Sequence, residues 1–266
     1  MSKDVAIVSS LNEEVLEDLV SGRILAIRVT DFVPKNLCND LSEYFLGHHD
    51  IKNYDHDVQI NGQKKTLFYG VKRIGYPFNL TYGKSMDDPV KKEYYDRALA
   101  GTRELRELLK TNISPIDRLR LELDELWKDG ANIARFENKM MLAGIGRVIN
   151  HKDIKNNEPP HVDSIPPDIS LDGRFSGIIY LKVPSDGGEL ELWDRQPDLT
   201  SEEKLNPEFN WRTRLDSPVV IRPDVGDLVL INTLLPHAVN SFSDGDRVAV
   251  QVFVGYKTGR PLQLWS

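Results

Sequence analysis

Two histidines and one aspartate in this chain have types and spacing suited to metal chemistry. His161 and Asp163 stand two residues apart in PPHVDS, so on an extended strand their side chains point the same way. His237 closes an apolar run, DLVLINTLLPH, 74 residues beyond Asp163. Two imidazoles and a carboxylate on neighbouring strands can hold a divalent metal on one face and leave its other positions open. A saturated metal could bind nothing further. An HxD pair alone is common, so the surrounding residues must carry the reading. Of the other four histidines, His48, His49 and His56 share the polar run GHHDIKNYDHD, which reads as solvated loop with a metal cluster as the alternative, and His151 reads as loop.

Arg247 lies ten residues after His237, at the start of RVAVQVFVGY. Strand alternation puts Val248, Val250, Val252 and Val254 on one face and Arg247, Ala249, Gln251 and Phe253 on the other. The valine face needs a cover, which the helices of the first half can supply. The opposite face then points into a cavity, and a buried guanidinium there needs an anion, best a carboxylate that meets its fork with two bonds.

The elements that must position these residues divide the chain in two. In the first half, Leu11–Leu19, Lys35–Phe45, Pro89–Lys110 and a segment from Pro115 to about Lys128 have helical spacing. Tyr95, Leu99, Leu105 and Leu109 form the expected apolar stripe of the third. Ser114-Pro115 reads as a cap and first helical residue, and Gly130 as a stop. Ile24–Val29 and Thr66–Gly75 read as strands. From Asn132 onward come short β-like runs broken by Gly, Pro and Asp, the signature of a sandwich or barrel. These runs are Lys139–Ile149, Phe175–Val183, Glu189–Trp193, Pro218–Ile221, Leu228–Asn232, Ala238–Phe242 and Arg247–Tyr256.

Taken in order, HVD (161–163), IIYL (178–181), GGEL (187–190), GD (226–227), PHAV (236–239) and Arg247 resemble the Fe(II)/2-oxoglutarate-dependent oxygenases, in the branch with prolyl-4-hydroxylase-like barrels. The likeness covers about residues 140–266. The C-terminal GYKTGRPLQLWS is also similar to natural-product oxygenases and halogenases of the welwitindolinone type. The resemblance implies a mainly β fold with helices: a double-stranded β-helix (jelly-roll, cupin-like) core with the N-terminal helices packed on its major sheet. It implies one domain over 1–266, with 1–131 as a helical-plus-strand support region and 132–266 as the core. It also implies Fe(II), 2-oxoglutarate and O2 as cofactor and cosubstrates.

Residue by residue, the likeness assigns His161, Asp163 and His237 to iron. Arg247 and Tyr180 fall to the distal carboxylate of 2-oxoglutarate, with Arg147 and Asn150 as further cosubstrate contacts. Gln251 and Phe253 are expected in the same cavity, with Arg73 and Asn138 reaching substrate and Asn232 facing inward. A lid is expected from the 76–95 region. Halogenases of the family carry Gly or Ala in place of the carboxylate; Asp163 is present here, which implies hydroxylation or another oxidation instead. The expected substrate is a small molecule, an amino acid or amino-acid-derived product of secondary metabolism. A peptide residue, or ligand binding by a jelly roll without turnover, are the alternatives.

Composition agrees with a folded chain. Of 266 residues, 40% are hydrophobic and 28% charged, near the globular average. The single cysteine, Cys38, excludes an intramolecular disulfide and a thiolate zinc site. A net charge of −7 disfavours nucleic acid as a partner. The acidic N-terminal stretch does not read as a signal peptide, and no uncharged apolar run is long enough to span a membrane, so a cytoplasmic protein is expected.

Overall fold

In the computed structural model, residues 4–60, 63–110, 112–154, 159–166, 169–200, 203, 206 and 209–266 are described, with the backbone alone for 56–60 and 64. The strands are β1 (Val5–Val8), β2 (Ala26–Val29), β3 (Lys52–Ile60), β4 (Gln63–Ile74), β5 (Ala131–Ile133), β6 (Arg135–Phe136), β7 (Lys139–Met140), β8 (Ile145–Asn150), β9 (Gly173–Lys182), β10 (Leu190–Leu192), β11 (Val219–Ile221), β12 (Leu228–Ile231), β13 (His237–Val239), β14 (Asp246–Tyr256) and β15 (Leu262–Trp265). The helices are α1 (Glu13–Val20), α2 (Lys35–Leu46), α3 (Pro89–Leu109) and α4 (Pro115–Leu126). None is long and apolar enough to cross a membrane.

A large sheet runs β1-β2-β12-β9-β14-β8-β4-β3, with β15 on β14 and β5 on β15. A smaller sheet, β11-β10-β13, faces it. The two sheets close over Ile178, Tyr180, Val229 and Ala249 from the large sheet and Leu190, Leu192 and Ile221 from the small one. This is the jelly-roll core with added strands. Four of those strands, β1 to β4, come from the first half of the sequence.

The valine face of β14 is covered as the pattern requires. Val248, Val250, Val252 and Val254 are buried with Leu37, Leu41 and Phe45 of α2 and Ile116, Leu119 and Leu123 of α4. Local chemistry starts the helices: Asn12, Asp88 and Ser114 each accept a backbone N–H of the helix that follows, and α3 and α4 begin with proline. Close approach decides Gly146 on β8, where a Cβ would stand 2.7 Å from the Phe45 ring of α2.

The expected stripe of α3 is buried at Tyr95 and Leu109 and partly at Leu105, but not at Leu99, which is 41% exposed. Lys91, Tyr94 and Ala98 are buried as well, so the covered face is turned toward the aromatic residues. Tyr94 donates to the Ser266 carbonyl (3.2 Å), accepts from Leu142 N (3.0 Å) and packs on Phe78. Lys91 keeps its ammonium on the Lys84 carbonyl (3.1 Å) and over the Phe136 ring.

Turn chemistry ties the large sheet to the site. Gly226 has φ +97, and a Cβ there would lie 2.4 Å from the Val33 carbonyl. Asp227, buried, accepts from Arg28 Nε (2.6 Å), Asp224 N (2.9 Å) and Asp31 N (3.2 Å). This turn brackets Tyr180, whose N–H reaches the Asp227 carbonyl (2.9 Å) and whose carbonyl takes Gly226 N–H (2.8 Å). The GD pair therefore holds the β9 backbone at a residue of the site.

Helix α4 carries the test of this packing. Leu119→Ala removes a fully buried side chain and is expected to lower unfolding stability by about 2–5 kcal/mol. Leu99→Ala, on the exposed side of α3, is expected to stay within about 0.5 kcal/mol of wild type. Urea unfolding of the two variants checks both; equal losses would contradict the assigned faces.

Candidate metal centre

His161, Asp163 and His237 converge. One possible ligand atom from each lies within 4.8 Å of the others. They meet through a single antiparallel bridge, in which His161 N donates to the His237 carbonyl and His237 N to the His161 carbonyl, both at 3.0 Å. Only His237 lies on a strand, β13. Asp163 is fixed by its own N–H on the Thr233 carbonyl (3.0 Å).

The imidazoles are oriented by backbone. His161 Nδ1 stands 3.2 Å from the Pro159 carbonyl and His237 Nδ1 3.1 Å from the Leu235 carbonyl. A carbonyl only accepts, so Nδ1 carries the proton in each ring and Nε2 carries the lone pair. His237 Nε2 faces Asp163 Oδ2 at 3.8 Å. Asp163 Oδ2 is buried without a hydrogen-bond partner, an arrangement that a cation between the three groups resolves. Two nitrogen lone pairs and one unpartnered carboxylate oxygen on one side of an open cavity fit a facially bound divalent metal.

Arg174 stands behind Asp163. It is fully buried, donates from Nε to Thr233 Oγ1 (3.1 Å) and from Nη1 to the Ser164 carbonyl (2.5 Å), and places Nη2 4.0 Å from Asp163 Oδ2. Its guanidinium lies over the Phe253 ring at 4.6 Å. Burial works against ionisation of Asp163. The neighbouring His237, His161, Arg174 and Arg147 outweigh it and hold the carboxyl below its usual range. Sequence reasoning missed Arg174; its one signal was a lone cation opening the apolar run RFSGIIYL.

Two cavities share His161 and Asp163 as wall. An inner chamber of about 80 Å³ runs from His161, Asp163 and His237 to Arg247, with Gln251 on its wall. Arg247 is 5% exposed, its Nη2 donates to the Tyr180 hydroxyl (3.0 Å), and its Nε has no partner. Among the described residues no carboxylate is within salt-bridge reach of it. Burial pushes the Tyr180 phenol up, against the pull of the Arg247 guanidinium, so the hydroxyl keeps its proton. Gln251 donates to Ser176 Oγ (3.0 Å).

The outer space, about 710 Å³, is walled by Arg73, Tyr54, Asn79, Arg147 and Phe253, with His161 and Asp163 at its floor. Residues 79–84, within the expected lid region, form one of its sides. Arg147 lines both spaces. Tyr54, beneath the Arg147 guanidinium at 4.2 Å, is a wall that the polar run around it gave no means to foresee.

Three expected contacts are elsewhere. Asn150 bonds Asp246 Oδ1 (2.6 Å) and caps Lys152 N, so its amide is used at the end of β8. Asn138 sits at φ +63 in the exposed turn between β6 and β7. Asn232 turns its Oδ1 onto Leu234 N (3.0 Å), shaping the loop before His237. Short asparagine side chains next to turns bond their own backbone first. Of the other histidines, His48 pairs with Glu104 (3.3 Å), His151 meets the Gly245 carbonyl, and His56 lies on β3 with its side chain outside the described residues.

Residues 148–255 match the family model described as the 2OG-Fe(II) oxygenase superfamily. The matched stretch holds His161, Asp163, His237 and Arg247, and over it the chain is similar to that superfamily. The match and the His-Asp-His donor set both point to Fe(II) and 2-oxoglutarate as cofactor and cosubstrate. No curated protein matches this sequence. Among solved structures, an N-substituted L-amino acid dioxygenase from Burkholderia ambifaria AMMD is 15% identical, with 96% of this chain and 91% of that one covered and a TM-score of 0.59. Its complex with alpha-KG gives 14% identity, the same coverage and a TM-score of 0.58. The non-heme alpha ketoglutarate dependent epimerase SnoN from nogalamycin biosynthesis is 15% identical, covering 92% of this chain and 85% of that one, at a TM-score of 0.51. At these identities the likeness is one of fold.

Protons compete with the metal for both Nε2 atoms, so Mn(II) affinity is expected to fall as pH is lowered from about 8 to 5. Asp163→Ala is expected to weaken Mn(II) at least ~10-fold while the protein stays folded. His48→Gln and His49→Gln are expected to bind as wild type. Calorimetric titration with Mn(II) checks all three; binding flat in pH would remove the histidines from the metal.

Proposed function

We propose that this oxygenase hydroxylates an unactivated C–H bond of a small molecule, an amino acid or a compound made from one, in the 710 Å³ cavity above the triad. The observation that carries this reading is that His161, Asp163 and Arg147 line both a small cavity that reaches His237 and Arg247 and a much larger one. One space suits a slender dicarboxylate and the other a compact second molecule. The B. ambifaria dioxygenase of the same fold is described as acting on N-substituted L-amino acids, which makes that class the first to try.

His161, Asp163 and His237 would hold Fe(II), which with 2-oxoglutarate and O2 supplies the oxidising power to place oxygen on carbon while succinate and CO2 are released. The protein's share is positioning. Arg247, on the wall of the small cavity, and the protonated Tyr180 hydroxyl bonded to it offer donors that match the distal carboxylate of 2-oxoglutarate. That anchorage sets the opposite end of the cosubstrate toward the triad. Arg174 and Thr233 hold Asp163 in place. Phe253, under Arg174, contributes apolar wall that excludes water.

A screen of free and N-substituted amino acids, read as substrate-dependent succinate at fixed Fe(II) and 2-oxoglutarate, tests the substrate class. Arg247→Leu is expected to raise the half-saturating 2-oxoglutarate concentration at least ~10-fold, the scale of a lost charge-assisted pair, with Mn(II) binding little changed. Arg260→Leu, at an exposed position, is the control. Agreement of Arg247→Leu with wild type within twofold would remove Arg247 from the cosubstrate.

A further inference from the structure

Arg73 on β4 and Arg147 on β8 are directly opposite in the antiparallel register, so their side chains share one face of the large sheet. Like charges at opposed positions repel, and sheets ordinarily avoid them. Here both line the outer cavity. Arg73 is 8% exposed. Its Nη1 donates to the Gly75 carbonyl (2.7 Å), its Nε has no partner, and its guanidinium lies 5.1 Å from the Tyr76 ring. Arg147 stacks on Tyr54, and its Nε is likewise buried without a partner.

Among the described residues neither guanidinium has a carboxylate within salt-bridge distance. The acids that act on Arg73 do so from further away. Asp50 is already paired with Lys52 (2.7 Å) and Arg97 (3.2 Å), and Asp55 is exposed. Asp163 feels the Arg147 charge but belongs to the metal centre. Two adjacent cations, Arg73 buried and Arg147 half-buried, with no paired counter-charge are costly to fold around, unless a ligand brings the charge that the chain omits.

We infer that the substrate carries a free carboxylate, which binds between Arg73 and Arg147. The inference rests on the oxygenase reading above and narrows its substrate to acids. A carboxylate presents two oxygens, one for each planar guanidinium fork, and its approach relieves the repulsion across β4 and β8. The rest of such a molecule would extend over Phe253, Tyr54 and the triad. Arg147 is thereby assigned chiefly to substrate, although it also touches the chamber that the cosubstrate needs.

The test uses the full chain loaded with Mn(II) and saturated with 2-oxoglutarate, so that the Arg247 end is already filled. Free and N-acetylated amino acids of graded side-chain size, each paired with its primary amide, are titrated calorimetrically, together with phenyl phosphate. At least one acid is expected to bind with Kd below about 1 mM, and its amide at least ~10-fold more weakly. Arg73→Gln and Arg147→Gln are each expected to weaken that acid at least ~10-fold. Arg73→Gln should leave the 2-oxoglutarate affinity within about twofold, Arg147→Gln should weaken the acid more than 2-oxoglutarate, and Arg260→Leu should change neither. The acid–amide comparison on wild type needs no variant to fold.

Amides binding as well as acids, no acid binding below about 1 mM, or both variants titrating as wild type would overturn the inference. Phenyl phosphate binding more tightly than every acid would overturn the choice of a carboxylate. Arg147→Gln weakening 2-oxoglutarate more than the acid would overturn its assignment to substrate. Failure of 2-oxoglutarate itself to bind the Mn(II)-loaded wild type would instead strike the oxygenase reading.

Discussion

The two-bond bridge between His161 and His237 is the constraint on which the site depends. It joins a segment with no strand of its own to the edge of the small sheet, and it does so at the residues whose side chains must meet. Hydrogen bonding backbone to backbone sets the Cα separation, and the carbonyls of Pro159 and Leu235 then set each ring. The side chains are left with little freedom, which is what a metal site requires of its ligands. Asp163 joins them through Thr233, and Thr233 is held in turn by Arg174.

The same logic extends outward in layers. The small sheet is positioned by apolar closure against Tyr180, Ile178 and Ala249 of the large one. The large sheet is positioned by α2 and α4 on its far face, where the valines of β14 meet leucines. The GD turn at Gly226 and Asp227 locks β2, β12 and the Tyr180 backbone together. A polar site between two sheets thus rests on a fully apolar contact behind one of them. The division follows from strand alternation, because β14 offers valine to the helices and arginine to the chamber.

The charges of the cavity are unevenly matched. Asp163 has Arg174 and Arg147 acting on it, whereas Arg247, Arg73 and Arg147 themselves line cavities with no paired carboxylate among the described residues. Buried guanidinium nitrogens without partners are uncommon in folded proteins. Three such groups around one cavity describe a protein whose internal polarity is completed by its ligands. The excess positive charge is local, since the chain as a whole carries −7.

Much of this was legible in the residues. Alternation in RVAVQVFVGY placed Arg247 inward, and the order HVD, GGEL, GD, PHAV and Arg247 announced the core and its chemistry, because these features depend on strand period and turn residues, which are local. Caps at Ser114 and Asn12 were local too. What sequence could not decide was how far the buried face of α3 turns away from Leu99, and which polar side chains reach the cavity. Leu99 lost to Tyr94 because the partners of that face, Phe78 and Leu142, come from elsewhere in the chain. Asn150, Asn138 and Asn232 were drawn to nearby partners that cost little chain entropy to reach. Arg174 and the Arg73–Arg147 pair emerged only when distant strands came into register. Periodicity tells a residue which face it takes; only the assembled sheets determine what lies opposite that face.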